Sequence, residues 1–119
     1  MEKLRELSRQ RQAAHNTLKQ LQSKVYAAFL DMEKATYADG ALPKQTKELI
    51  AVGTSIVINC ESCMQWHIEQ AAKAGATARQ VLEAIEVGIE MGGGPATASA
   101  RFALEVMEDV FGELRPDAG

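Results

Sequence analysis

The sequence predicts an all-α fold, a bundle of about six helices, and two observations carry that expectation. Every segment outside the turns repeats its apolar residues at helical spacing, and no alternating run rich in Val, Ile or Thr suggests a strand. Composition agrees: aromatics are only 5% of the chain, while Ala, Leu, Glu and Gln abound. With 119 residues, 46% hydrophobic and 24% charged, the chain has the proportions of one globular domain, taken here as residues 1–119.

The elements follow in order. From Leu4 the small and apolar positions run Leu4, Leu7, Ala14, Leu18, Leu21, Val25, Ala28 and Met32, a 3-4 spacing interrupted where Arg11 takes an apolar slot. That spacing predicts one long helix or two collinear ones ending near Tyr37, packed through its apolar stripe on the protein's own body. Residues 38–43 form a loop, with Pro43 suited to open the next helix. That helix, to about Ile58, carries Leu49, Ile50, Val52, Ile56, Val57 and Ile58 on nearly all sides and is expected to be buried all round, either in a core or against a partner subunit. Asn59 reads as the N-cap of a helix from Cys60 to Ala74, stopped by Gly75. Thr77 then caps a helix from Ala78 to Met91, with Val81, Leu82, Ile85, Gly88 and Ile89 facing inward. Residues 92–95 (Gly-Gly-Gly-Pro) break the chain, and a last helix from Pro95 to about Val110 uses Ala98, Phe102, Leu104, Val106 and Met107. The tail from Gly112 to Gly119 is expected to fray.

Charge and hydropathy exclude several classes. No apolar run approaches the ~20 residues of a membrane span. The N-terminus is charged and amphipathic, without a signal-peptide core, so a cytoplasmic protein is expected. Net charge is −3, unevenly spread: residues 1–24 hold six Lys/Arg against Glu2 and Glu6, and residues 77–119 hold eight acids against three Arg. No aromatic residues interleave the basic segment, so packing between segments or subunits explains it better than nucleic-acid binding. The apolar residues left over on two helices point to a homo-oligomer.

The chemistry concentrates between Glu48 and His67. Glu48 is followed by eleven residues, then Cys60-Glu61-Ser62-Cys63, then His67, and these are the chain's only two cysteines. On a helix, Cys60 and Cys63 stand at i, i+3, and Cys63 and His67 at i, i+4, so all three share one face. A thiol pair with its own base reads as redox chemistry. Free N–H groups at the helix start favour a thiolate at Cys60. His67 can instead take the proton of Cys63, with Glu48 holding the imidazole in its working tautomer. The dipole picks Cys60 as nucleophile, the base picks Cys63, and sequence physics leaves both open. Zinc would need a fourth ligand, and the other histidine, His15, lies about 45 residues upstream with no obvious partner. A thioredoxin-like site needs a preceding strand that this chain lacks. The cysteines could also be small buried hydrophobes. Trp66 beside His67 fits a core or interface residue better than a substrate platform, and Gly92–Gly94 lacks the Lys and the strand of a phosphate loop.

These residues resemble the carboxymuconolactone decarboxylase family, specifically its alkylhydroperoxidase D-like branch. The Glu48, Cys60-x-x-Cys63-x-x-x-His67 pattern carries the likeness, with Thr46 to Ala51, Ala71 to Thr77, Glu83-Ala84-Ile85 and the Met91–Pro95 corner. It covers about residues 25–110, leaving residues 2–24 as an N-terminal extension. The resemblance implies a helical fold assembled as trimers or hexamers. It implies that Cys63 attacks a hydroperoxide, Cys60 resolves it as a disulfide, and Glu48 with His67 relays protons. A dithiol or protein thiol would act as reductant, and no cofactor or metal is expected. The best-known peroxidase members carry a histidine immediately before the second cysteine, where this chain has Ser62. The decarboxylase branch lacks the cysteine pair, so decarboxylation is not expected here. The alternative function is a disulfide reductase or redox-regulated partner-binding protein.

Overall fold

The computed structural model describes residues 1–116, and the end of the tail expected to fray lies outside them. Six helices run in chain order: α1 (Glu2–Gln20), α2 (Lys24–Thr36), α3 (Lys44–Val57), α4 (Glu61–Lys73), α5 (Ala78–Gly92) and α6 (Gly94–Phe111). They form two compact units, Met1–Asp39 and the chain from Gly40 onward.

In the first unit the expected long helix is two helices, and they are not collinear. Gln22 takes a left-handed conformation (φ 54°). Its N–H bonds the Lys19 carbonyl, and that of Ser23 bonds the Leu18 carbonyl, the pair of bonds that closes a helix in a Schellman turn. Ser23 then caps α2 by accepting from the Tyr26 N–H at 3.1 Å. The bend brings His15 Nδ1 within 2.6 Å of the Tyr26 hydroxyl. Eleven residues of straight helix would hold that pair about 16 Å apart. His15 therefore has the partner that sequence did not reveal. Arg9 binds Glu6 at 2.5 and 3.0 Å, and these hydrogen bonds hold the Glu6 carboxyl below its ordinary range. From the turn into α2 the apolar stripe is exposed: Leu21 is 72% exposed and Val25 82%, and Phe29 and Met32 also face out.

The second unit holds a core of Val52, Ile56, Met64, Ile68, Val81, Ile85, Phe102, Ala103, Val106 and Met107, all buried. Helix α3 packs on both α4 and α5, and α6 closes against that pair. The crossing of α3 on α5 depends on two glycines. A Cβ on Gly88 would lie 2.6 Å from the Gly53 carbonyl oxygen, and one on Gly53 would lie 2.9 Å from that of Ala84. The two backbones touch, which anchors α3 and the residues it carries. Within one chain α3 is buried on one side only: Val52 and Ile56 face in, while Ile50, Val57 and the following Ile58 are exposed. In α6 the inner face is lined by Ala96, Ala100 and Ala103 beside Phe102 and Val106, whereas Ala98 and Leu104 turn outward.

The ends of the helices decide where the site residues fall. Gly75 (φ 96°) closes α4, as its position predicts. The turn after α3 is the same motif with a different residue. Asn59 (φ 53°) takes the left-handed place, its N–H bonding the Ile56 carbonyl and that of Cys60 bonding the Ser55 carbonyl. Asn59 thus ends α3 rather than capping α4, and the cap of α4 is Cys60 itself. Asn suits both places, because its short amide caps helices and also tolerates positive φ. Gly93 (φ 72°, ψ −153°) is the single residue between α5 and α6, a conformation essentially confined to glycine.

Candidate active site

Helices α3 and α4, joined by the Asn59 turn, present the four predicted residues. Cys60 is the N-cap of α4 and Cys63 its third residue, so Cys63 stands in the first turn rather than one turn deeper. The Cys60 sulfur accepts from the Cys63 N–H at 3.1 Å. The two sulfurs are joined as a disulfide, with Cα atoms 5.2 Å apart, inside the range that such a bond requires. Both cysteines are half-exposed at the start of α4 and bonded to each other, not packed in the core. That excludes the reading of both as small core hydrophobes.

Glu48 and His67 meet across the α3–α4 contact. Glu48 is 1% exposed, so it is not a solvated helix residue. Its Oε1 lies 2.7 Å from His67 Nδ1. A carboxylate only accepts hydrogen bonds, so Nδ1 is the donor of this pair. His67 follows Cys63 by one turn on α4, the spacing that puts two side chains on one face. Glu48 has a second partner that sequence reasoning missed: Lys44 Nζ, 2.9 Å from Oε2. The signal was present as a Lys four residues before the Glu, but on a first turn such a pair reads as solvated charge.

Trp66 is half-buried on α4. A cavity of about 350 Å³ lies beside Asn59, lined also by Val57, Gly92, Pro95, Ala96, Ala98 and Ser99. None of Glu48, Cys60, Cys63 and His67 lines it. Among the described residues no group of three or more His, Cys, Asp or Glu is arranged to hold a metal ion, and no helix is long and apolar enough to cross a membrane.

Residues 23–106 match the model of the carboxymuconolactone decarboxylase family. The chain belongs to that family. The cysteine pair is consistent with the alkylhydroperoxidase D-like branch. An uncharacterised protein of the cox locus of Paracoccus denitrificans is 46% identical over 85 residues, covering 71% of this chain and 77% of its own. An uncharacterised protein of Cupriavidus necator is 40% identical over 102 residues, covering 86% and 87%. Among solved structures, the apo form of a carboxymuconolactone decarboxylase family protein from Legionella pneumophila superposes with a TM-score of 0.87. It is 29% identical and covers 95% of this chain and all of its own. A Thermotoga maritima protein gives 0.81 at 23% identity over 87% of this chain and 91% of its own, a likeness of fold. The family match extends through α2, so within the first unit only α1 and the turn after it lie outside the match.

Proposed function

We propose that the protein is a thiol-dependent peroxidase acting on hydroperoxides, with Cys63 as nucleophile. The observation that carries this reading is the buried Glu48 hydrogen-bonded to His67, one helical turn beyond a cysteine of a redox pair. Starting from the reduced pair, His67 Nε2 takes the Cys63 proton and the thiolate attacks the peroxide. The O–O bond breaks, and the departing alkoxide receives the proton and leaves as an alcohol. Cys63 is left as a sulfenic acid, the first rung of cysteine oxidation. The Cys60 thiol attacks that sulfur, water leaves, and the disulfide forms. Two electrons from an external dithiol or protein thiol restore both thiols, a supply that suits a cytoplasmic setting. A family protein from Thermotoga maritima has a suggested part in the antioxidative response, a role of the same kind.

A second reading has its own support. The Cys60 sulfur accepts a helix-start N–H, which stabilises a thiolate there and suits a disulfide reductase that attacks through Cys60. Peroxide consumption with a small dithiol as reductant separates the two. Turnover that exceeds the reduction of a disulfide substrate supports the peroxidase, and disulfide reduction without peroxide consumption supports the reductase.

The same proposal includes a homo-oligomer, trimer or hexamer. Ile50, Val57, Ile58, Val87 and Met91 of the second unit are exposed, as are Leu21, Val25, Phe29 and Met32 of the first. Apolar residues in such numbers favour burial against another copy. Light scattering at micromolar concentration should give a multiple of 12.9 kDa, and a clean monomer mass would remove the oligomer.

A further inference from the structure

Lys44 is the first residue of α3, and its place there goes against two local preferences. A cation in a first turn meets the positive end of the helix dipole. Helix α3 nevertheless opens with Lys44 and Lys47 and has no acid in that turn. A Lys placed four residues before a Glu is also the weaker order for an ion pair along a helix. Helix stability does not explain the choice. What Lys44 does is hold the inner carboxylate: Nζ lies 2.9 Å from Glu48 Oε2, while Oε1 faces His67 Nδ1 at 2.7 Å. The lysine side chain stays 42% exposed and the carboxylate 1%, so the ammonium remains hydrated while the buried charge is met.

We propose that Lys44 is a positioning residue that keeps His67 a neutral base. A buried carboxylate needs a cation beside it. Two groups touch this one, the Lys44 ammonium and the His67 imidazole, and either can supply the charge. Were His67 to supply it, Nε2 would carry a proton and could accept none from Cys63. Lys44 takes that duty and leaves the proton on Nδ1 and the lone pair on Nε2. Binding both carboxylate oxygens also fixes the carboxylate plane, and with it the tilt of the imidazole. The chemical consequence rests on the peroxidase reading, whereas the charge state of His67 does not.

The test uses the full-length reduced protein with ¹⁵N-labelled histidine, as wild type, Lys44→Met, Lys44→Gln and Lys44→Arg, near neutral pH. His67→Ala identifies the resonances, since His15 is the other histidine. Both uncharged variants should move the His67 Nε2 resonance from the unprotonated to the protonated position and slow peroxide turnover about 10- to 100-fold, with KM little changed. Arginine should restore both the resonance and the rate. A His67 spectrum that is the same in wild type and in the uncharged variants overturns the proposal, whatever happens to the rate. So does an arginine variant that behaves like methionine. If the wild type consumes no peroxide, the peroxidase reading fails while the imidazole spectra still decide the role of Lys44.

Discussion

Helices α4 and α5 begin with the same geometry and use it for opposite ends. At the start of α5, the Thr77 hydroxyl accepts the Gln80 N–H at 3.1 Å, and the Gln80 side chain accepts the Thr77 N–H at 2.9 Å. Each side chain closes on the other's backbone, a reciprocal cap that satisfies two orphan donors. At the start of α4 the same two positions are Cys60 and Cys63. The cap sulfur still accepts the N–H three residues on, but the two side chains bond each other instead. The spacing that suits a capping box also suits a disulfide, so exchanging side chains at one helix start turns a stability device into a redox pair.

The largest effect should come from removing the sulfur that reacts. Cys63→Ser should abolish peroxide turnover while leaving the helical signal of the reduced protein intact, read by peroxide consumption beside circular dichroism. Next come the partners that a capping box does not need. Glu48→Gln and His67→Ala should each slow turnover by ~10²–10⁴-fold without unfolding the chain, as general acid-base groups do. Normal kinetics in Glu48→Gln would reduce that residue to a structural anchor for α4.

At the other helix start the effect should fall on stability alone. Thr77→Ala should cost ~1 kcal/mol in denaturant unfolding with peroxide turnover unchanged. The smallest effect sharpens the comparison most. A hydroxyl is a better cap acceptor than a thiol, so in reducing buffer Cys60→Ser should match or exceed the wild type by roughly 0.5 kcal/mol. A reduced wild type clearly more stable than the serine variant would show that Cys60 gives up nothing as a cap.

How far the sequence revealed the molecule follows from the same end signals. Gly75 and Thr77 announced themselves, because one suits positive φ and the other suits a cap, and the helix boundaries there agree within a residue. The break between α1 and α2 was hidden because Gln22, a residue with no preference for positive φ, takes the place that glycine usually marks. Asn59 misled in the other direction, since asparagine serves both ends of a helix and only the backbone bonds of Asn59 and Cys60 separate the two roles. In the site, the spacing placed Cys60, Cys63 and His67 on one helix, with Glu48 on the helix before as the group to hold the imidazole. The burial of Glu48 and the grip of Lys44 depend on how α3 lies against α4, and no local pattern states that.

The most direct measurement asks which sulfur meets the peroxide. The two single variants, Cys60→Ser and Cys63→Ser, are reduced, exposed to one equivalent of hydroperoxide in the presence of dimedone, and read by peptide mass spectrometry. The base-driven account predicts a sulfenic acid adduct on Cys63 in Cys60→Ser, strongly reduced when His67→Ala is added, and little adduct in Cys63→Ser. An adduct confined to Cys60 in the Cys63→Ser variant would contradict it and give the nucleophile's role to the helix start.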